Sequence, residues 1–195
     1  NAAQDIINEI NQNFDGEERL RHIDSRIPND FIAVGISGRC TALIIAMAFA
    51  SPAMVKLLLE NGADPHAKES HGNNCLIAAC IFNRVGNVRF WLKRFPDWDI
   101  ESENSLNGAT ALGACVFMGA NRFELTELLL KSGAKLDALN HLGTSILIAA
   151  CENEDSDPIV VNLLLKCMDC NYRRSSRTMK WKCIRFVAKL AFRYS

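Results

Sequence analysis

Four leucines, Leu43, Leu76, Leu112 and Leu147, lie 33, 36 and 35 residues apart, each inside nearly the same short string. The strings read Thr41-Ala-Leu-Ile-Ile-Ala, Asn74-Cys-Leu-Ile-Ala-Ala-Cys, Thr110-Ala-Leu-Gly-Ala-Cys and Ser145-Ile-Leu-Ile-Ala-Ala-Cys. A second block follows each: Val55-Lys-Leu-Leu-Leu, Val88-Arg-Phe-Trp-Leu, Leu125-Thr-Glu-Leu-Leu-Leu and Val160-Val-Asn-Leu-Leu-Leu. A third feature closes the units at Asn61-Gly-Ala-Asp64, Pro96-Asp-Trp-Asp99, Ser132-Gly-Ala-Lys135 and Cys167-Met-Asp169. Three features sharing one period of this size predict a solenoid of stacked units, because a unit this short cannot bury a core alone.

The residues of one unit dictate its shape. Thr, Asn or Ser opens a first helix, where its side-chain oxygen accepts from a free backbone N–H. The Leu-x-x-Ala/Cys spacing predicts a narrow buried face of small residues that lets neighbouring helices approach closely. A turn is expected next, at Ser51-Pro52 in the first unit and at Gly86-Asn87 in the second. The Val-x-x-Leu-Leu block reads as a second helix with a bulkier buried stripe. Asn61-Gly62 and Ser132-Gly133 end that helix, since glycine enters the left-handed region without strain. An extended loop then reaches the next opener through the turn dipeptides His71-Gly72 and Asn107-Gly108. The fold class is therefore all-α, a helical-hairpin solenoid with extended or β-turn loops between units.

This layout resembles the ankyrin repeat, whose unit reads roughly Asp-x-x-Gly-x-Thr-Pro-Leu-His-x-Ala-Ala, then Val-x-x-Leu-Leu, then Gly-Ala-Asp. Thr41, Leu43, Ala46, Leu57, Leu58, Gly62, Ala63 and Asp64 fit without a gap, and the resemblance covers about residues 38–171 as four divergent repeats. The family proline is replaced by Ala42, Cys75, Ala111 and Ile146, and the family histidine by Ile44, Ile77, Gly113 and Ile148. The third and fourth units carry about two extra residues between their helices, and the second has Phe95-Pro96 in place of Gly-Ala.

The resemblance implies a non-enzymatic scaffold or adaptor that binds a protein partner on a concave face of loop tips and exposed first-helix positions. Those helix positions are Ala48 and Phe49, Ile81 and Phe82, Phe117 and Met118, then Glu152 and Asn153, which places an aromatic on one stripe in three consecutive units. Flanking loop residues are Ser70, His71, Asn73, Leu106, Asn107, His141 and Leu142. A helical or extended peptide with apolar anchors is the matching ligand class.

Outside the repeats the pattern weakens. Residues 1–37 read as an N-terminal capping helix over 2–14, carrying Ile6, Ile7, Ile10 and Phe14, followed by irregular chain over 15–37. Residues 172–195 read as a basic amphipathic helix, a cap or a degenerate repeat opening at Thr178. The net charge of zero hides a division here. The eight basic residues after Asn171 have no acid beside them, which leaves 14 basic against 22 acidic residues in the rest of the chain. A basic segment interleaved with Trp181, Phe186, Phe192 and Tyr194 fits an anionic membrane or nucleic acid, the alternative reading to a solvated cap.

Chemical motifs are scarce. Cys80, Cys115 and Cys151 recur near the repeat period at small-residue positions, as packed thiols do. Cys167 and Cys170 form a single Cys-x-x-Cys without the second pair that structural zinc requires. Unpaired cysteines suit a reducing compartment, hence a cytoplasmic or nuclear location. No nucleophile, phosphate-loop or dinucleotide motif is present, and the acidic run Glu152 to Asp157 lacks the glycine and terminal glutamate of a calcium loop. Neither cofactor, metal nor small-molecule substrate is expected. The chain opens on Asn1 without a basic-then-apolar leader, as a fragment or a processed chain would. The repeat segment of a larger enzyme or channel thus stays open as a third class.

Overall fold

A computed structural model describes residues 16–26, 38–152 and 157–172. The proposed helix over 2–14, the rest of the N-terminal connection, most of the acidic run and the basic segment 173–195 lie outside these residues. Among the described residues the chain is helical, with one isolated bridge between Leu139 and Ser145 as its β pairing. A short helix α1 (Gly16–Ile23) precedes four hairpins: α2 (Ala42–Phe49) with α3 (Pro52–Glu60), α4 (Cys75–Ile81) with α5 (Val85–Arg94), α6 (Ala111–Phe117) with α7 (Phe123–Lys131), and α8 (Ile146–Glu152) with α9 (Pro158–Tyr172).

All four openers act as the sequence expects. Ile44 N–H donates to Thr41 Oγ1 at 3.4 Å, Ile77 to Asn74 Oδ1 at 2.9 Å, Gly113 to Thr110 Oγ1 at 3.2 Å and Ile148 to Ser145 Oγ at 3.3 Å. Each such cap stabilises its helix by about 1 kcal/mol. Gly62 and Gly133 follow the second helices with φ of +90° and +95°.

The first helices α2, α4, α6 and α8 stack on one another more closely than the second helices do. Small residues at Ala78, Ala79, Ala111, Ala114 and Ala150 permit this. Burial of the first helices goes beyond the narrow face expected from sequence. Every residue from Cys75 to Cys80 is buried, because α4 packs against α2, α6 and its own partner helix α5.

Three further expectations change. Residues 16–23, read as irregular, form α1, with Glu17 and Glu18 in its first turn and Arg21 and His22 in its last, charges that suit the helix dipole. Ile23 is buried, Leu20 lies against Gly62 and Asp64 N donates to Asp24 Oδ1, so α1 sits at the closing turn of the first hairpin. Gly86-Asn87 is not a turn but lies inside α5. Asn87 is buried and its Nδ2 donates to the carbonyls of Ala46, Met47 and Ala50 at 3.2, 2.9 and 3.0 Å, capping the end of α2 from the next unit. Cys167-Met-Asp169 does not close the fourth unit, since without a glycine α9 runs on to Tyr172.

A related cap recurs. Arg84 and Arg122 stand directly before α5 and α7. Arg84 Nη2 donates to Ala50 O at 2.9 Å, and Arg122 donates to Cys80 O and Ile81 O at 2.8 and 3.0 Å. A cation at the end of the preceding first helix also complements that helix's dipole.

Cys40, Cys75, Cys80 and Cys115 are buried and in no disulfide. Burial pushes Cys40 up from the ordinary 9.0 to about 11, with Glu69 adding to the effect, and pushes Cys115 up to about 11. Burial raises Cys75 and Cys80 as well. A thiol whose pKa rises on folding contributes stability that is intact below its unfolded value and lost as pH climbs through the folded value. The urea midpoint is therefore expected to fall between pH 9 and 11 through these groups, and Cys75→Ala should flatten that fall. An identical slope in wild type and variant would contradict the assignment.

Candidate functional site

The loops before the second, third and fourth units are built on one plan. Glu69, Asn104 and Asn140 each turn a side-chain oxygen inward to hold the loop's own amides. Glu69 accepts from His71 N and Asn73 N at 3.0 and 2.8 Å, Asn104 from Asn107 N and Ala109 N at 3.0 and 3.3 Å, and Asn140 from Leu142 N and Thr144 N at 3.0 and 2.8 Å. Gly72 N donates to Glu69 O at 2.8 Å and Gly143 N to Asn140 O at 2.8 Å, three residues back. In the third loop Gly108 N reaches Asn104 O at 3.2 Å, four residues back, so that loop is one residue longer.

The tips then tie to one another. Ser70 N donates to Gly38 O at 3.1 Å, Ser105 N and Leu106 N to His71 O at 2.9 and 3.0 Å, and His141 N to Asn107 O at 2.8 Å. This crosswise row of main-chain bonds supplies links between units in an array that lacks the family histidine. The approach is close: a Cβ on Gly72 would meet Ser105 N at 2.5 Å, and one on Gly108 would meet the His141 ring at 2.4 Å.

Between the tips and the first helices lies a recess of about 260 Å³. Seven of the residues expected from sequence line it: His71, Asn73, Ile81, Leu106, Asn107, Phe117 and Met118. The other five sit elsewhere. Phe49 and Phe82 form a separate aromatic pair, ring centroids 4.6 Å apart and planes at 53°. Ser70 is exposed and its hydroxyl donates to Gly38 O. His141 lies against Gly108, and Leu142 projects from the last tip at 85% exposure. Sequence reasoning missed Gly113, Asn104, Leu139, Asn140, Thr144 and Ala149, which also line the recess. The position of Asn140 three residues before a glycine matches that of Glu69 and would have revealed it.

No Asp, Glu, Lys or Arg lines the recess. Of the large apolar residues that stay exposed, Leu106, Phe117, Met118 and Leu139 gather here. Such clustering marks a contact surface more than scattered apolar exposure does. Among the described residues no group of three or more His, Cys, Asp or Glu is placed to hold a metal ion. No helix there is long and apolar enough to cross a membrane.

Known proteins share this pattern. A family model described as the ankyrin repeat matches residues 39–70. The chain is 33% identical over 128 residues to the mouse B-cell lymphoma 3 protein homolog, a match covering 65% of this chain and 28% of that protein. It is 35% identical over 118 residues to human B-cell lymphoma 3 protein, covering 59% and 25% respectively. Ankyrin repeat protein OPG189 of Variola virus is 30% identical over 94 residues, covering 47% of this chain and 16% of its own length. The chain thus spans about a quarter of the B-cell lymphoma 3 proteins it matches.

Proposed function

Because the chain belongs to the ankyrin-repeat family, whose repeats generally serve as protein–protein interaction modules, we propose that it is a non-enzymatic scaffold or adaptor that holds a protein partner on its concave face. The gathering of exposed Leu106, Phe117, Met118 and Leu139 around one recess carries this reading. A few residues, aromatic ones prominent among them, supply most of the binding energy in protein interfaces. The Phe49–Phe82 pair extends the same stripe toward the first unit. That the cysteines among the described residues are in no disulfide supports a reducing compartment, the cytoplasm or nucleus.

Replacing Phe82 and Phe117 together with glutamate tests the reading. Both side chains keep part of their surface in water, so helicity in the far ultraviolet should stay at the wild-type level. Partners captured by immobilised wild type, quantified by mass spectrometry beside the double variant, should drop by about thirtyfold or more, the effect of losing a hot spot. Equal capture by the two chains rejects the concave face.

A further inference from the structure

The third unit departs from the array at one place. Where the other units hold Ile44, Ile77 and Ile148, it holds Gly113. The backbone does not require glycine there, since Gly113 is helical and absent from the residues with positive φ. A glycine inside a helix costs about 0.5–1 kcal/mol relative to alanine. A Cβ at this position would meet only Thr110 Oγ1, at 3.6 Å, an ordinary contact. The missing side chain therefore leaves space, and that space belongs to the recess.

Its size and rim specify an occupant. At about 260 Å³ the recess exceeds the ~150 Å³ cavity that accepts benzene, yet falls below the ~300 Å³ at which dedicated small-molecule sites begin. It fits one large apolar side chain. Ala114, Ile146 and Ala149 provide an apolar lining. The amides at the rim have their oxygens committed. Asn73 Oδ1 accepts from Asn104 Nδ2 at 2.9 Å, Asn107 Oδ1 from Ala109 N at 3.1 Å, and Asn140 Oδ1 from Leu142 N and Thr144 N. Backbone donors fix Asn107 and Asn140 directly and Asn73 through Asn104, whose own oxygen accepts from Asn107 N and Ala109 N, so the amide nitrogens of Asn73, Asn107 and Asn140 are what the rim offers a ligand. A rim of amide donors matches the carbonyl oxygens of a peptide backbone; a phosphate would call for fixed cations, and the lining has no Lys or Arg.

We propose that the recess at Gly113 is the anchor subsite of the binding face, taking one Leu-, Ile-, Met- or Phe-sized side chain from an extended peptide whose carbonyls accept from Asn73, Asn107 and Asn140. This inference rests on the concave-face reading and adds the chemistry of the partner.

A displayed library of random peptides, selected on the wild-type chain, tests it. The selected peptides should share one large apolar residue. Gly113→Ile fills the recess and should weaken them by about thirtyfold or more, with no drop in urea midpoint. Gly113→Val takes its place if isoleucine lowers that midpoint. Replacing the shared peptide residue with alanine should cost affinity on wild type and almost nothing on the filled variant. If Gly113→Ile leaves binding unchanged while Phe82→Glu with Phe117→Glu abolishes it, the subsite is overturned and the concave face stands. Peptides indifferent to all these changes overturn both, and a library that yields no peptide dependent on Gly113 overturns the subsite.

Discussion

Trp91→Ala is expected to lower the stability of the array by about 3–5 kcal/mol, the range for deleting a buried aromatic. Trp91 is fully buried at the end of α5. Its ring centroid lies 4.7 Å from Phe95 and 5.0 Å from Trp98, the latter edge-on at 83°. His66 stacks on Trp98 at 5.1 Å and brings the preceding unit into the cluster. The cluster occupies the place where the first and third units have Gly-Ala. Domains of ordinary size are stable by about 5–15 kcal/mol, so this loss is a large share. In a linear array it falls on the links between neighbours, and denaturation should separate into two transitions. Trp91→Phe is the control. Among the described residues the buried indole nitrogens of Trp91 and Trp98 meet no acceptor, so removing one relieves a cost that offsets part of the lost volume. Urea titration followed by circular dichroism measures both variants, and a Trp91→Ala midpoint equal to wild type would refute the cluster's importance.

Gly72→Ala should cost about 2–5 kcal/mol, while Gly133→Ala should cost only about 1–2 kcal/mol. Both glycines are left-handed, with φ of +79° and +95°, so an L residue is strained at either site. Their surroundings differ. The new methyl at 72 runs into Ser105, whose backbone nitrogen stands 2.5 Å away, whereas nothing lies within 4 Å at 133. Relief at 72 requires the second and third tips to part, which breaks the bonds from Ser105 N and Leu106 N to His71 O. The variant should therefore also bind partner less well at temperatures where it remains folded. Equal losses at the two glycines would show that the tips are free to separate.

Much of this was legible because it is local. A Ser, Thr or Asn three residues before an N–H that needs an acceptor is a cap wherever it occurs, and all four openers behave so. The leucines of the first helices and the stripe Val55, Leu125, Leu129 and Leu164 repeat with the period and are buried with it. What escaped depends on the neighbouring unit. Gly86-Asn87 has the composition of a turn, but the partners of Asn87 lie 37 to 41 residues away. Helix α1 carries too few apolar residues to show a period, and it is held by contacts with the first hairpin. Gly113 was visible as a departure from the family, yet a missing side chain becomes a recess only between two adjacent loops. The Phe49–Phe82 pair could not be told from the recess stripe by spacing alone, since the same helix positions face different neighbours.

The bonds across the loop tips join amide to carbonyl and leave the side chains of Leu106 and Leu142 out of the scaffold's own connections. An extended strand from a partner would find the amides of Ser105, Leu106 and His141 already taken, so edge-to-edge pairing is closed to it there. Selectivity must instead be written in side chains, and those can be exchanged with little structural penalty. Duplicated copies of such a gene can consequently acquire new partners through a few codon changes at the tips while the framework is inherited intact.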